Sequence, residues 1–250
     1  MDVITSRQNN LIRHMKKLAG DRKYRKSCGE FLCEGPKMLD EALRWEFQVK
    51  TVLTSSEELL HQWEGTATHG ALVSEELLAY AADTQTPQSV IFTCAMPEEE
   101  DALPGGRLLV LDGVQDPGNV GTIVRTADAF GADGVILLPG CADVWSPKVV
   151  RATMGACFRL PVLNCTLEKL QQMLQNEKIP LYATALREDT EDVRNVELIR
   201  AAVVIGSEGR GVSEQVLQQC KKTLKIPMRE RCESLNAAMA AGIVLWEGFR

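Results

Sequence analysis

Three polar clusters in the C-terminal half of the chain each follow an apolar run of strand length. The first lies in "LDGVQDPGNVGTIVRTADAFG", where Asn119 and Arg125 stand six residues apart with Thr122 and Thr126 nearby. A permanent cation there can hold an anion. On an ideal helix six residues subtend roughly 240°, so the pair reaches one site only if Asn119 is a non-helical N-cap. Ile123, Val124, Ala127 and Phe130 predict a mostly buried helix around Arg125, and a buried guanidinium requires an anion or carbonyls. The plainer alternative is a capping asparagine and a surface arginine.

The second cluster is "AAVVIGSEGRGVSEQVL", with Gly206, Ser207, Glu208, Gly209 and Gly211 after a strand and Ser213 opening a helix. Glycines there let backbone approach a ligand closely. The order is G-x-x-G-x-G rather than the dinucleotide G-x-G-x-x-G, and no Lys-Ser/Thr follows as in a P-loop. Glu208 would repel a phosphate. The alternative is an ordinary turn. The third is "IPMRERCESLNAAMAAG", where Ser234 reads as an N-cap, Asn236 follows, and small residues allow tight packing. Ile226 and Met228 could offer a flat apolar surface to an adenine ring, although a simple capped helix fits Ser-Leu-Asn as well.

The elements carrying these clusters alternate. "RLLVLDGV", "GVILLPG", "LPVLNC", "PLYATAL", "AAVVIGS" and "TLKIPM" are continuously apolar, as strands covered on both faces must be. Helices are predicted near 118–130, 147–158, 166–177, 213–220 and 234–248, giving an α/β fold with a mainly parallel sheet. Ligands in such sheets bind beyond the carboxyl ends of strands. Residues 1–96 read as a separate small α/β domain, 97–106 as a linker rich in acid, proline and glycine, and 107–250 as a second, larger α/β domain.

Bulk properties exclude several classes. No apolar run approaches the roughly 20 residues of a membrane span. "MDVITSRQNNLIRHMKKLAG" has no signal-peptide core. The eight cysteines include no C-x-x-C pair and read as reduced thiols of a cytoplasmic protein; with only three histidines, no metal site is expected. The net charge of −6 hides an asymmetry. Arg7, Arg13, Lys16, Lys17, Arg22, Lys23, Arg25 and Lys26, against Asp21 alone, make the segment 7–26 carry +7 and leave −13 elsewhere. Such a stretch fits either an RNA footprint or a solvated face.

In this order, "DPGNVGTIVRTADAFG", "VIGSEGRGV" and "IPM…ESLNAAMAAGIVLWE" resemble the three motifs of the SpoU (TrmH-type) branch of the SPOUT RNA methyltransferases. "SPKVVRATMGACFRLPV" resembles the segment these enzymes carry between the first two, and the N-terminal part resembles their substrate-binding domain, related to small ribosomal RNA-binding proteins. The resemblance implies transfer of a methyl group from S-adenosyl-L-methionine to a ribose 2′-hydroxyl of structured RNA, by a homodimer whose C-terminal segment forms a trefoil knot. It assigns catalytic roles to Asn119, Arg125, Glu208, Ser234 and Asn236. Cofactor contacts are assigned to Thr184, Ala185, Gly206, Ser207, Glu208, Gly209, Gly211, Ile226, Met228, Ser234, Leu235, Asn236 and Ala238. The eight basic residues of segment 7–26, with Arg151 and Arg159, are expected to hold RNA. Ribosomal RNA is the expected substrate; a tRNA methyltransferase and a non-catalytic RNA-binding factor are the alternatives. A dehydrogenase lacks its phosphate fingerprint here.

Overall fold

The computed structural model describes residues 2–82, 84, 86–98, 101–187, 190–229 and 234–248. Two compact units emerge, Met1–Glu98 with Trp145–Phe158, and Glu99–Val144 with Arg159–Arg250. In the first, strand β1 (Asp2–Ile4), helices α1 (Asn10–Gly20) and α2 (Arg22–Cys28), β2 (Glu30–Glu34), α3 (Pro36–Arg44), β3 (Val49–Thr54), α4 (Glu57–Gln62), β4 (His69–Val73), α5 (Glu75–Ala81) and β5 (Val90–Ala95) form a mixed sheet ordered β1-β4-β3-β5-β2. Helix α1 starts where the Asn9 side chain accepts from Leu11 N at 2.8 Å, and its i, i+3, i+6 stripe of Ile12, Met15 and Leu18 is fully buried. Ser56 and Ser74 cap α4 and α5 through Leu59 N and Leu77 N. The short strand β1 and helix α2 were not legible in the hydrophobic pattern.

The excursion Trp145–Phe158 joins this first unit. Trp145 lies 4.5 Å from Phe31 between ring centroids, and Phe158 lies 4.9 Å from Phe47. Glu34, 6% exposed, accepts from Gln88 N at 2.8 Å and from the Thr84 hydroxyl, and Arg151 approaches it at 3.7 Å. A buried carboxylate needs such partners to offset its desolvation.

The second unit holds β6 (Arg107–Asp112), α6 (Pro117–Ala129), β7 (Gly134–Leu137), β8 (Val162–Asn164), α8 (Leu167–Glu177), β9 (Leu181–Thr184), β10 (Glu191–Asp192), β11 (Ala201–Gly206), α9 (Glu214–Leu217), β12 (Lys222–Lys225) and α10 (Ala237–Gly248); α7 (Pro147–Thr153) belongs to the excursion. The strands pair in parallel throughout, ordered β10-β12-β9-β11-β6-β7-β8. Leu108, Val110, Ala202 and Val204 point into one core layer with Leu170 and Leu174 of α8, while the alternate Leu109, Leu111, Val203 and Ile205 are equally buried. Both faces are therefore covered, as the continuous apolar runs require.

From β6 the chain winds toward β7 and β8; from β11 it winds the other way, to β12 beyond β9. The neighbours β6 and β11 thus mark the reversal at which a parallel sheet opens a crevice above its carboxyl edge. The resemblance places a threaded crossing at Arg229–Glu233; residues 230–233 lie outside the described residues. Among the described residues no helix is long and apolar enough to cross a membrane.

Candidate active site

Loops after β6 and β11 meet the start of α10 at this crevice. Asp116 caps α6, its Oδ1 accepting from Asn119 N at 2.8 Å. Asn119 is therefore inside the first helical turn, not the N-cap expected from spacing. Its Nδ2 donates to Glu208 Oε1, and its Oδ1 accepts from Asn236 Nδ2 at 3.0 Å. Asn236 in turn caps α10, its Oδ1 accepting from Ala238 N at 3.0 Å and Met239 N at 3.2 Å. The cap is thus Asn236 rather than Ser234. Helix α10 starts two residues later than a serine cap would allow, because the amide side chain can both hold the helix amides and reach Asn119. Three distant segments are joined by one chain of side-chain bonds, with a carboxylate at its end.

The loop bearing Glu208 is fixed from both ends. Ser207 N donates to Gly211 O at 3.2 Å and Gly211 N to Ser207 O at 2.8 Å. Gly211 has φ +67°, and Ser213 N donates to Asp112 Oδ2 at 2.7 Å. A Cβ on Gly206 would stand 2.1 Å from the Gly211 carbonyl carbon, so only glycine lets this loop fold back over its own strand.

Beside the network lies a cavity of about 300 Å³. Thr184, Ala185 and Leu186 line it from the end of β9, and Ile205, Gly206, Ser207, Glu208 and Gly211 from β11 and its loop. Leu224, Lys225, Ile226 and Met228 contribute from β12 onward, and Ser234, Leu235, Ala237 and Ala240 from the approach to α10. The Thr184 hydroxyl donates to Val204 O at 2.9 Å, tying β9 to β11 at the cavity floor. Apolar walls and backbone edges suit an adenosyl ligand, and the lining carries one charge of each sign, Glu208 and Lys225.

Ten of the expected cofactor positions line this cavity. Gly209 faces a neighbouring cavity, and Asn236 and Ala238 lie outside the lining. The lining residues missed from sequence are Leu186, Ile205, Leu224, Lys225, Ala237 and Ala240. Ile205 and Leu224 are the next-to-last residues of β11 and β12 and are indistinguishable by type from core; Ala237 and Ala240, one turn apart on α10, look like ordinary helix-packing residues.

Arg125 departs from expectation. It is exposed, because α6 buries only the stripe Val120, Gly121, Ile123, Val124 and Ala127. Arg25 is 4% exposed, its Nη1 donating to Leu18 O at the end of α1, so it is a structural residue rather than an RNA contact. The other seven basic residues of segment 7–26 are exposed. Arg7 and Lys16 lie 4.8 and 5.3 Å from the Tyr80 ring. Arg151 pairs with Glu34 in the first unit, and Arg159 holds Asp128 through Nη2 at 2.8 Å and Nε at 3.0 Å.

The thiols of Cys141, Cys165 and Cys220 are poor nucleophiles. Burial pushes Cys141 and Cys165 up, and burial with the Asp112 charge pushes Cys220 up to about 12, so these sulfurs are protonated at neutral pH. Among the described residues no group of three His, Cys, Asp or Glu side chains could hold a metal ion.

Residues 106–246 match the SpoU rRNA Methylase family, and residues 9–91 match the MRM3-like substrate binding domain. The 23S rRNA (guanosine(2553)-2′-O)-methyltransferase RlmP of Bacillus subtilis is 35% identical over 98% of both chains. Among solved structures, the AdoMet-bound rRNA methyltransferase of Sinorhizobium meliloti aligns with TM-score 0.89 and 29% identity, covering 98% of this chain and 96% of that one. The SpoU methyltransferase AviRb of Streptomyces viridochromogenes, in complex with AdoMet, aligns with TM-score 0.87 and 28% identity over 96% and 97%. With its catalytic fold, its substrate-binding domain and its length all matched, the chain belongs to the SpoU rRNA methylase family.

Proposed function

We propose that this protein transfers a methyl group from S-adenosyl-L-methionine to a ribose 2′-hydroxyl of ribosomal RNA. The observation that carries the reading is the chain Glu208–Asn119–Asn236, drawn from three loops and standing at the rim of an adenosyl-sized cavity. Bound S-adenosyl-L-methionine supplies an electrophilic sulfonium methyl. Ile226, Met228 and Leu235 would cover its adenine, and the backbone of Thr184–Leu186 and Gly206–Ser207 would meet its polar edges.

A ribose hydroxyl is a weak acid, so the chain must hold the oxygen in line and stabilise charge as the proton leaves. Among the described residues the second unit contains no histidine, since His14, His61 and His69 all belong to the first. Guanidinium stays protonated in proteins, so Arg125 acts as a cation on the RNA phosphate and on developing alkoxide, not as a base. The proton passes to phosphate or water. Asn119 keeps Glu208 turned toward the ribose, and Ser234 lines the donor side.

The reading extends to a cytoplasmic homodimer joined through the catalytic unit. Helix α10 is apolar apart from Glu247 and leaves Met239 61% and Trp246 52% exposed, a face that a second copy would cover.

Two measurements test the function. Calorimetry should show S-adenosyl-L-methionine binding, and mapping of ribose methylation should show one ribosomal position unmodified in cells lacking the gene. Absent donor binding overturns the reading, and loss of a tRNA methyl group instead transfers it to the alternative substrate.

For RNA affinity, exposed charges are the relevant test, because α1 is core and a deletion of residues 1–26 would unfold the first unit. The triple variant Arg13→Gln, Lys16→Gln, Lys17→Gln should flatten the salt dependence of ribosomal RNA binding by up to about two units of log K per log salt. An unchanged slope would make this face solvated surface only.

A further inference from the structure

We infer that a second cavity receives the base of the target nucleotide and that Arg210 selects guanine there; the inference rests on the methyl-transfer reading and deepens it. This cavity, of about 380 Å³, lies beyond the carboxyl ends of β6, β7 and β11, whereas the donor cavity lies beyond β9, β11 and β12. Ser207, Glu208 and Gly211 line both. One loop is therefore the wall between them, and Glu208, held by Asn119, stands on that wall.

The covalent structure of a nucleotide gives this arrangement its meaning. The 2′-oxygen sits on the sugar carbon next to the one bearing the base. An acceptor oxygen presented to the methyl at the wall must place its base within a bond or two of that wall, on the side away from the donor. The second cavity is the space available there.

Its chemistry fits a base rather than a phosphate. Asp112 and Glu208 contribute carboxylates, which repel phosphate but accept from ring N–H and amino groups. Asp112 commits Oδ2 to Ser213 N at 2.7 Å, and a carboxylate oxygen has lone pairs beyond that one bond. Gln115 and Arg210 line the same cavity, are exposed, and make no hydrogen bond among the described residues. A guanidinium fork matches two adjacent acceptors, and guanine presents such a pair at O6 and N7. Adenine puts an amino donor beside N7, and the pyrimidines have no adjacent acceptor pair on the corresponding edge. A carboxylate partner for the N1 and N2 hydrogens favours guanine again. Loops and unpaired nucleotides are the RNA elements whose bases can be read in this way.

The test uses the full-length protein with S-adenosylhomocysteine present and four probes, the 5′-monophosphates of guanosine, adenosine, uridine and cytidine, titrated by calorimetry or ligand-observed NMR. The wild type should bind guanosine monophosphate about tenfold more tightly than the other three, the size of one bidentate base contact. Arg210→Ala should bring the four within about twofold of one another, and Arg210→Lys, which keeps charge but loses the fork, should do nearly the same. Donor affinity should stay within about twofold in both variants, since Arg210 is absent from the donor cavity lining. Equal binding of the four nucleotides by the wild type, no nucleotide binding, or a guanine preference that survives Arg210→Ala would overturn the assignment. A wild type that fails to bind S-adenosyl-L-methionine would overturn the methyl-transfer reading itself.

Discussion

Arg125→Ala is expected to lower kcat for ribose methylation by about 10²–10³-fold, the usual cost of removing one donor to a developing oxyanion. Donor affinity should be almost unchanged, because Arg125 lies outside the cavity lining. Its exposure on α6, with no hydrogen bond or ion pair among the described residues, leaves the guanidinium available to a phosphate. The companion variant separates charge from shape. Arg125→Lys retains a cation but cannot form two parallel bonds to a phosphate, so most of the rate should still be lost. A lysine variant within about fivefold of wild type would show that fork geometry contributes little, and an alanine variant at full rate would remove Arg125 from the mechanism. Single-turnover rates at saturating donor, beside a donor titration, make the distinction.

Gly206→Ala should cost the donor site most of its affinity. The added methyl would stand 2.1 Å from the Gly211 carbonyl carbon and 2.2 Å from Val212 N, and backbone atoms cannot swing aside as a side-chain tip can. The closed turn between Ser207 and Gly211 must therefore shift, carrying Glu208 away from Asn119. We expect a loss of roughly 1–3 kcal/mol in stability, as for other overpacked positions. We expect donor affinity to fall by about 100-fold, equivalent to roughly 2.7 kcal/mol. Thermal melting and calorimetry read the two effects separately. Gly209→Ala is the control, since a Cβ there meets nothing within 4 Å and its φ is not left-handed, and donor affinity should stay within about threefold. Equal losses in the two variants would mean that loop flexibility, not the collision at Gly206, governs binding.

Much of the architecture was legible because it depends on period and composition. Continuous apolar runs such as "LLVLDGV" and "AAVVIGS" must be covered on both sides, and both parities of β6 and β11 are buried. Side-chain commitments were harder to read. Asn119 was expected at a cap, yet Asp116 three residues earlier takes that role, since Pro117 suits the first helical position and sets the start. Ser234 and Asn236 are equally good caps by type, and tertiary reach toward Asn119 decided between them. Arg125 was expected to be buried because its neighbours are apolar, but α6 buries one stripe and the arginine lies off it. Arg25 looked like one more member of a basic run, and only the packing of α2 against the end of α1 distinguishes it. Charge runs record composition; they do not record which member turns inward.

The excursion Trp145–Phe158 makes the two halves poor candidates for independent inheritance. A gene fragment ending before residue 107 would encode a fold deprived of Trp145 against Phe31, Phe158 against Phe47, and Arg151 against Glu34. The complementary fragment would carry Trp145 and Phe158 without their partners Phe31 and Phe47, an invitation to aggregate. Recombination that swaps one half for a foreign counterpart must therefore exchange an internal stretch of fourteen residues along with it, or rebuild the aromatic cluster from both sides.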